Sequence, residues 1–229
     1  MINLLKAVVF DLDHTLFDRY ETLKQVVPFF RERFKIATGI TDEFIYERLS
    51  WADKSFVHTG WTEIFGHLCE KGIFEEIPEY EDYVAFVLSK FKEIAVKFPF
   101  TIPTLEKIKS MGYKIGLITN SSSDVQNKKL ALLGLTDIFD CVIISGDTPY
   151  QKPDKEIFLM MAEKLEVSPS EMMYVGDHPK FDVDGSRNAG CIPVWVKTTG
   201  TWIFPEIEKP NLQVETVAEI PKILERVKL

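Results

Sequence analysis

The apolar positions of this chain follow two rhythms, one of strands and one of helices. A short run, Leu5 to Phe10, ends at Asp11-Leu12-Asp13 and predicts a buried strand opening onto a polar turn. From about Phe17 to Phe98 the spacing becomes helical and no strand is predicted. Val26, Phe29, Phe30, Arg33 and Phe34 recur at intervals of three and four, as do Tyr83, Val84, Val87, Leu88, Phe91 and Ala95 in a segment running to Phe98. Gly39 reads as a helix stop and Thr41-Asp42-Glu43 as a helix start. The stretch is too long for a loop within a compact domain, so it predicts an inserted helical subdomain.

After Pro99 helix and strand alternate. Helices are predicted over Thr104 to Met111, Val125 to Leu133, Lys155 to Leu165, Phe181 to Ala189 and Ala218 to Val227. Strands are predicted over Lys114 to Ile118, Cys141 to Ile144, Met172 to Val175 and Ile192 to Val196. This alternation predicts an α/β fold, a parallel sheet covered by helices on both faces. The expected division is a core of residues 1–16 and 99–229 with a helical insert over 17–98. In such sheets ligands bind beyond the carboxyl ends of the strands. Asp11, Thr119-Asn120 and Asp177 each follow a predicted strand directly, and Lys152 follows another by a few residues. Four polar elements far apart in sequence are thereby expected on one edge of one sheet.

The chemistry begins with Asp11 and Asp13. Along an extended chain residues i and i+2 face the same way, so the two carboxylates converge if the extended conformation persists. Carboxylates that close repel unless a proton or a cation intervenes, and a hard cation such as Mg²⁺ suits them; Mn²⁺ would accept the same oxygen ligands. The net charge of −8 argues against binding a nucleic-acid polymer, which calls for a basic stripe. It leaves open a small phosphorylated ligand held by a few local cations and a metal. No apolar run is long enough to span a bilayer, and Lys6 followed by Asp11 and Asp13 does not read as a signal peptide. The three cysteines, Cys69, Cys141 and Cys191, are not spaced as metal ligands. A cytoplasmic protein without disulfides is expected.

Taken in order, Asp11-Leu12-Asp13-His14-Thr15-Leu16, Thr119-Asn120, Lys152-Pro153-Asp154 and Gly176-Asp177 with Asp182 resemble the motif set of the haloacid dehalogenase-like (HAD) phosphohydrolase superfamily. The resemblance spans nearly the whole chain. It implies a Rossmann-like doubly wound core, with the insert as a C1-type cap like that of phosphoglycolate phosphatase-like and pyrimidine nucleotidase-like members. It further implies that Asp11 attacks phosphorus to form an aspartyl-phosphate. Asp13 would protonate the leaving oxygen and then take a proton from the hydrolytic water. Asp11, the Asp13 backbone carbonyl and Asp177 would hold Mg²⁺. Thr119, Asn120 and Lys152 would bind phosphoryl oxygens, Asp182 would act from behind by orienting Lys152 or through a metal-bound water, and Thr15 would position Asp13. His14 falls in a variable slot and receives no role. The dehalogenases that name the superfamily lack the acid two residues after the nucleophile, so Asp13 favours phosphate transfer over carbon–halogen cleavage.

The implied activity is hydrolysis of a small phosphorylated metabolite, a nucleoside monophosphate or a small sugar or organic-acid phosphate. A sugar phosphomutase would share every catalytic residue, and a non-catalytic metabolite-binding protein is the reading from another class. In the insert, Trp51, Lys54, His58 and Trp61 are candidates for contact with the leaving group, against the simpler expectation that the aromatic residues pack the insert's own core. The Trp202-Ile203-Phe204-Pro205 loop reads either as a cover for the core or as a partner surface.

Overall fold

The computed structural model describes residues 5–56, 60–200 and 202–227. It divides into two compact units, an α/β unit of Met1–Asp18 with Lys97–Leu229 and a helical unit of Arg19–Val96. In chain order the elements are β1 (Ala7–Phe10), then α1 (Arg19–Val26), α2 (Phe30–Arg33), α3 (Asp42–Ser55), α4 (Trp61–Glu70) and α5 (Tyr80–Phe91) of the helical unit. The α/β unit continues with α6 (Thr101–Ser110), β2 (Lys114–Thr119), α7 (Ser123–Leu133), β3 (Cys141–Ile144) and α8 (Lys155–Lys164). It ends with β4 (Met172–Gly176), α9 (Gly185–Asn188), β5 (Ile192–Val196), β6 (Leu212–Val214) and α10 (Ile220–Val227).

The six strands form one sheet in the order β3-β2-β1-β4-β5-β6, with every neighbouring pair parallel. This is a Rossmann-like doubly wound order, and it reverses direction around β1. β1 is buried at all four positions, as a strand with helices on both faces must be. Phe10 pairs with Leu117 on one side and Val175 on the other, so β1, β2 and β4 end at nearly the same height. The crevice at this edge is where the strand ends deliver Asp11, Thr119 and Asp177.

Several sequence expectations shift. Phe17 is bridged to both Asp13 and Lys97, which keeps residues 17, 18, 97 and 98 with the α/β unit and narrows the helical insert to 19–96. The helix expected from Tyr83 to Phe98 runs from Tyr80 and stops at Phe91, because Lys92, Glu93 and Ile94 turn back on the carbonyls of Ser89 and Lys90. The helix expected over Phe181 to Ala189 is a π-helical turn over Pro179–Asp184 followed by the single turn of α9. The short β6, Leu-Gln-Val, carries too few residues for an apolar rhythm to register and was not expected. Thr41 caps α3 as read from sequence, its hydroxyl accepting from the Phe44 N–H at 3.1 Å.

The helical unit packs its own core. Phe30, Phe34, Phe74, Tyr83 and Phe86 meet largely edge to face, with Leu23, Val26, Ile45, Leu49 and Leu68 around them. No helix among the described residues is long and apolar enough to cross a membrane.

Candidate active site

β1 delivers Asp11 into the crevice between β2 and β4, and the Asp11 N–H donates to the Val175 carbonyl at 2.9 Å. The extended conformation then ends. Thr15, Leu16 and Phe17 N–H groups all donate to the Leu12 carbonyl, and His14 takes a left-handed φ of 61°. The side chains of Asp11 and Asp13 meet different lysines. Asp11 faces Lys152, whereas Asp13 faces Lys129 on α7.

Lys152 is the hub. Its ammonium donates to Asp11 Oδ1 at 2.5 Å, to Asp182 Oδ1 at 2.7 Å and to the Tyr174 hydroxyl at 3.1 Å. An ammonium has three N–H donors, so all are engaged. Asn120 holds the backbone of the same residue. Its Nδ2 donates to the Lys152 carbonyl and its Oδ1 accepts from the Lys152 N–H, both at 2.9 Å. The sequence reading aimed Asn120 at phosphoryl oxygens, but both ends of its amide are taken up in bracketing Lys152. The Lys152–Pro153 peptide is cis.

Asp182 is brought in by the π-helical turn, in which the Asp182 and Val183 N–H groups both return to the His178 carbonyl. Its Oδ2 accepts from the His178 N–H at 2.9 Å, and Oδ1 also lies 3.3 Å from the Tyr174 hydroxyl. Both oxygens are thus engaged in orienting Lys152 and closing the turn. Glycine is required beside it, since a Cβ on Gly176 would stand 2.4 Å from Asp182 Cγ. His178 Nδ1 accepts from the Lys180 and Phe181 N–H groups and fixes the start of the turn.

Asp11, Asp177 and Asp182 are buried and each offers an oxygen within 4.8 Å of the others. Lys152 is the cation bonded inside this group. Burial pushes the Asp11 carboxyl up to about 7 despite Lys152, with Asp182 and Asp13 adding to the rise. Burial and then the neighbouring Asp182 and Asp11 raise Asp177 well above the usual carboxylate range. For Lys152, burial opposes the charged form, but Asp11 and Asp182 prevail and hold its ammonium well above its ordinary value. Three carboxylates around one ammonium leave surplus negative charge and an all-oxygen donor set. Those are the terms on which a hard divalent cation fits.

Thr119, at the end of β2, is buried, and its Oγ1 lies 2.6 Å from Gln126 Nε2. The sequence reading gave Thr15 the task of positioning Asp13. The Thr15 hydroxyl is buried without a hydrogen-bond partner, and Lys129 and Gln126 contact the Asp13 carboxylate instead. Neither residue was singled out from sequence, where both sit unremarked in the helix predicted over Val125 to Leu133. Of the insert candidates, Trp51 is 48% exposed and stacks on His67, while exposed Lys54 lies 4.5 Å from the Tyr20 ring centroid. Trp61 is half-buried against Tyr83, Phe91 and Arg19, which is a packing role. His58 lies outside the described residues. The Trp202–Pro205 loop covers its own unit, with Trp202 edge-on to Trp195 and Phe204 against His178.

Comparison with known proteins agrees with this geometry. The haloacid dehalogenase-like hydrolase family model matches residues 8–196. The chain is 30% identical to a glyceraldehyde 3-phosphate phosphatase of Methanopyrus kandleri, covering 85% of this chain and 84% of that protein. It is 29% identical to the pyrophosphatase PpaX of Bacillus velezensis, covering 93% and 94%. Among solved structures, a HAD phosphatase from Thermococcus onnurineus is 30% identical with a TM-score of 0.61, covering 96% of this chain and 98% of that one. An L-2-haloacid dehalogenase from Xanthobacter autotrophicus shares the fold at 22% identity, with a TM-score of 0.67 over 97% of this chain and 99% of that one. With its sheet order, its acidic strand ends and a family match over most of its length, the chain belongs to the haloacid dehalogenase-like hydrolases.

Proposed function

We propose that this hydrolase is a phosphatase that cleaves small phosphorylated metabolites through a phosphoryl group carried on Asp11. The buried Asp11–Lys152–Asp182 chain beside Asp177 is the observation that carries the reading. It sets a carboxylate at the crevice, backed by a cation, among oxygen donors suited to Mg²⁺. The phosphatases and pyrophosphatase among its relatives support the same reaction class.

In the proposed sequence an Asp11 carboxylate oxygen forms a bond to phosphorus as the ester P–O bond breaks. Asp13 gives its proton to the departing alcohol oxygen. Asp13, now ionised, takes a proton from water as that water attacks phosphorus, and the Asp11–phosphorus bond breaks to release phosphate. Lys152 neutralises phosphoryl charge, and the Thr119 hydroxyl donates to a phosphoryl oxygen. Asp11, Asp177 and the Asp13 carbonyl would hold Mg²⁺, which when bound screens the phosphate charge from the Asp11 carboxylate. Asp182 and Asn120 act by holding Lys152, one at its ammonium and one at its backbone.

The helical unit of residues 19–96 is proposed as the cap that selects the leaving group, with exposed Trp51 and Lys54 as its specificity candidates. The test is phosphate release from a panel of nucleoside monophosphates, sugar and triose phosphates, organic-acid phosphates and pyrophosphate, with and without Mg²⁺. Metal-dependent release that disappears in Asp11→Asn supports the proposal. A folded protein that releases no phosphate from any compound would overturn it, and transfer to a sugar hydroxyl would identify a mutase.

A further inference from the structure

Helix α7 contributes two buried polar side chains that the reaction just described does not use. Gln126 and Lys129, three residues apart, lie on one helix face and are 0% and 2% exposed. Lys129 Nζ is 2.7 Å from both carboxylate oxygens of Asp13 and sits 4.6 Å from the Phe17 ring centroid. Gln126 Nε2 is 3.2 Å from Asp13 Oδ2, 2.6 Å from Thr119 Oγ1 and 3.4 Å from the Asn120 carbonyl.

The chemistry of these partners fixes who donates. In the stage where Asp13 is ionised and awaits a proton from water, its carboxylate and the Asn120 carbonyl only accept, so the Gln126 amide nitrogen faces them. Its two N–H groups serve three acceptors, and the shortest contact, 2.6 Å, is to Thr119 Oγ1. A hydroxyl that accepts there must send its own proton elsewhere, which leaves it for a phosphoryl oxygen. Lys129, symmetric over the two Asp13 oxygens, holds that carboxylate in one rotamer. Desolvating a lysine on a helix face is costly unless its charge is met, and Asp13 meets it.

We propose that Gln126 and Lys129 are a positioning pair: Lys129 aims the Asp13 carboxyl at the leaving oxygen, and Gln126 orients both Asp13 and the Thr119 hydroxyl proton. The proposal rests on Asp13 being the proton donor of the phosphatase reading. Neither residue touches phosphate or metal; both act through groups that do.

The leaving group separates this role from a structural one. An alkyl phosphate needs a proton on its departing oxygen, whereas p-nitrophenyl phosphate expels a stable phenolate without one. Lys129→Met removes the cation at similar length. It should lower kcat on an alkyl phosphate by about 30-fold while costing p-nitrophenyl phosphate less than about threefold, with KM nearly unchanged. Lys129→Arg, which keeps the charge, should recover part of the alkyl rate. Gln126→Met should slow both substrates, since Thr119 serves the phosphoryl group whatever departs. An equal loss on both substrates in Lys129→Met, or a loss confined to KM, would overturn the Lys129 role. Should Lys129→Met not fold, the ratio of alkyl to aryl rates in Lys129→Arg decides in its place, an unchanged ratio counting against the pair. Asp11→Asn runs alongside: if it retains activity, the phosphatase mechanism itself fails, and if it is inactive while Lys129→Met leaves the ratio of alkyl to aryl rates unchanged, the pair alone fails.

Discussion

Each unit of the molecule buries charge, but the two do it on different terms. In the helical unit the Arg19 guanidinium meets the buried Asp53 carboxylate through Nε at 2.9 Å and Nη2 at 2.8 Å, with the rings of Trp61 and Phe91 about it. One positive and one negative group cancel in a forked geometry that satisfies both. In the α/β unit Lys152 pairs with Asp11 and Asp182 while Asp177 lies within 4.8 Å of both carboxylates, and the sum does not cancel. A balanced buried pair is a structural element, complete within the chain. An unbalanced cluster at the carboxyl edge of a parallel sheet is stable only with protons or a cation from outside, and that need is the physical signature of a site.

The contrast is broken most directly by removing one carboxylate from each place. Asp11→Asn should leave the fold standing, relieve repulsion among the acids, and lower phosphate release by about 10³-fold or more, since the attacking oxygen is gone. Steady-state assays beside a thermal melt check both halves. Asp53→Asn should do the reverse. It removes the buried carboxylate charge that Arg19 meets, costing about 3–5 kcal/mol in chemical denaturation, while the response to Mg²⁺ persists. If Asp53→Asn unfolds nothing, or if Asp11→Asn destabilises as strongly, the distinction between balanced and unbalanced charge is wrong.

How far the sequence foretold this contrast follows from what each part depends on. The strand ends were legible because Ala7 to Phe10, Ile115 to Ile118 and Met172 to Val175 are apolar runs that stop at Asp11, Thr119 and, after Gly176, Asp177. Topology then gathers those polar groups without further information. Lys129 and Gln126 were not legible, because a lysine and a glutamine in a helix are ordinary surface residues until tertiary packing buries them. The role of the Asn120 side chain was illegible for a related reason: it answers to Lys152, thirty-two residues on, through two hydrogen bonds no local pattern encodes. The turn that ends the extended run after Asp13 was not legible either: its left-handed residue is His14. Histidine there gives little warning, where glycine would have signalled a turn.

Without metal, the folded protein keeps a proton on Asp11 up to about 7, where the unfolded chain has already lost it. That contribution to stability is whole below the ordinary carboxylate value and is lost as pH rises through about 7, with Asp177 acting in the same direction. The metal-free protein should therefore melt lower at pH 8 than near pH 5.5. Mg²⁺ competes with the proton, so its affinity should fall about tenfold per unit below pH 7 for each proton displaced. Calorimetric titration in buffers of differing ionisation enthalpy reads that proton release directly. Asp11→Asn should flatten the trend, whereas Asp53→Asn should not alter it.

The smallest effect is expected at the surface of the helical unit, and it tests whether selectivity can be separated from chemistry. Trp51 is nearly half exposed and stacked at 4.5 Å on His67, so Trp51→Ala removes little buried surface. Its stability cost should lie within about 0.5–1 kcal/mol. If the helical unit selects the leaving group, the variant should change KM for bulky or aromatic phosphates by a few-fold. Its rate on a compact triose phosphate should stay the same. The balanced Arg19–Asp53 pair would then serve as the rigid support of a recognition surface, with the unbalanced acids carrying the chemistry. An equal fall in kcat for every substrate would instead tie Trp51 to the catalytic step, and the division of labour between the two units would not hold.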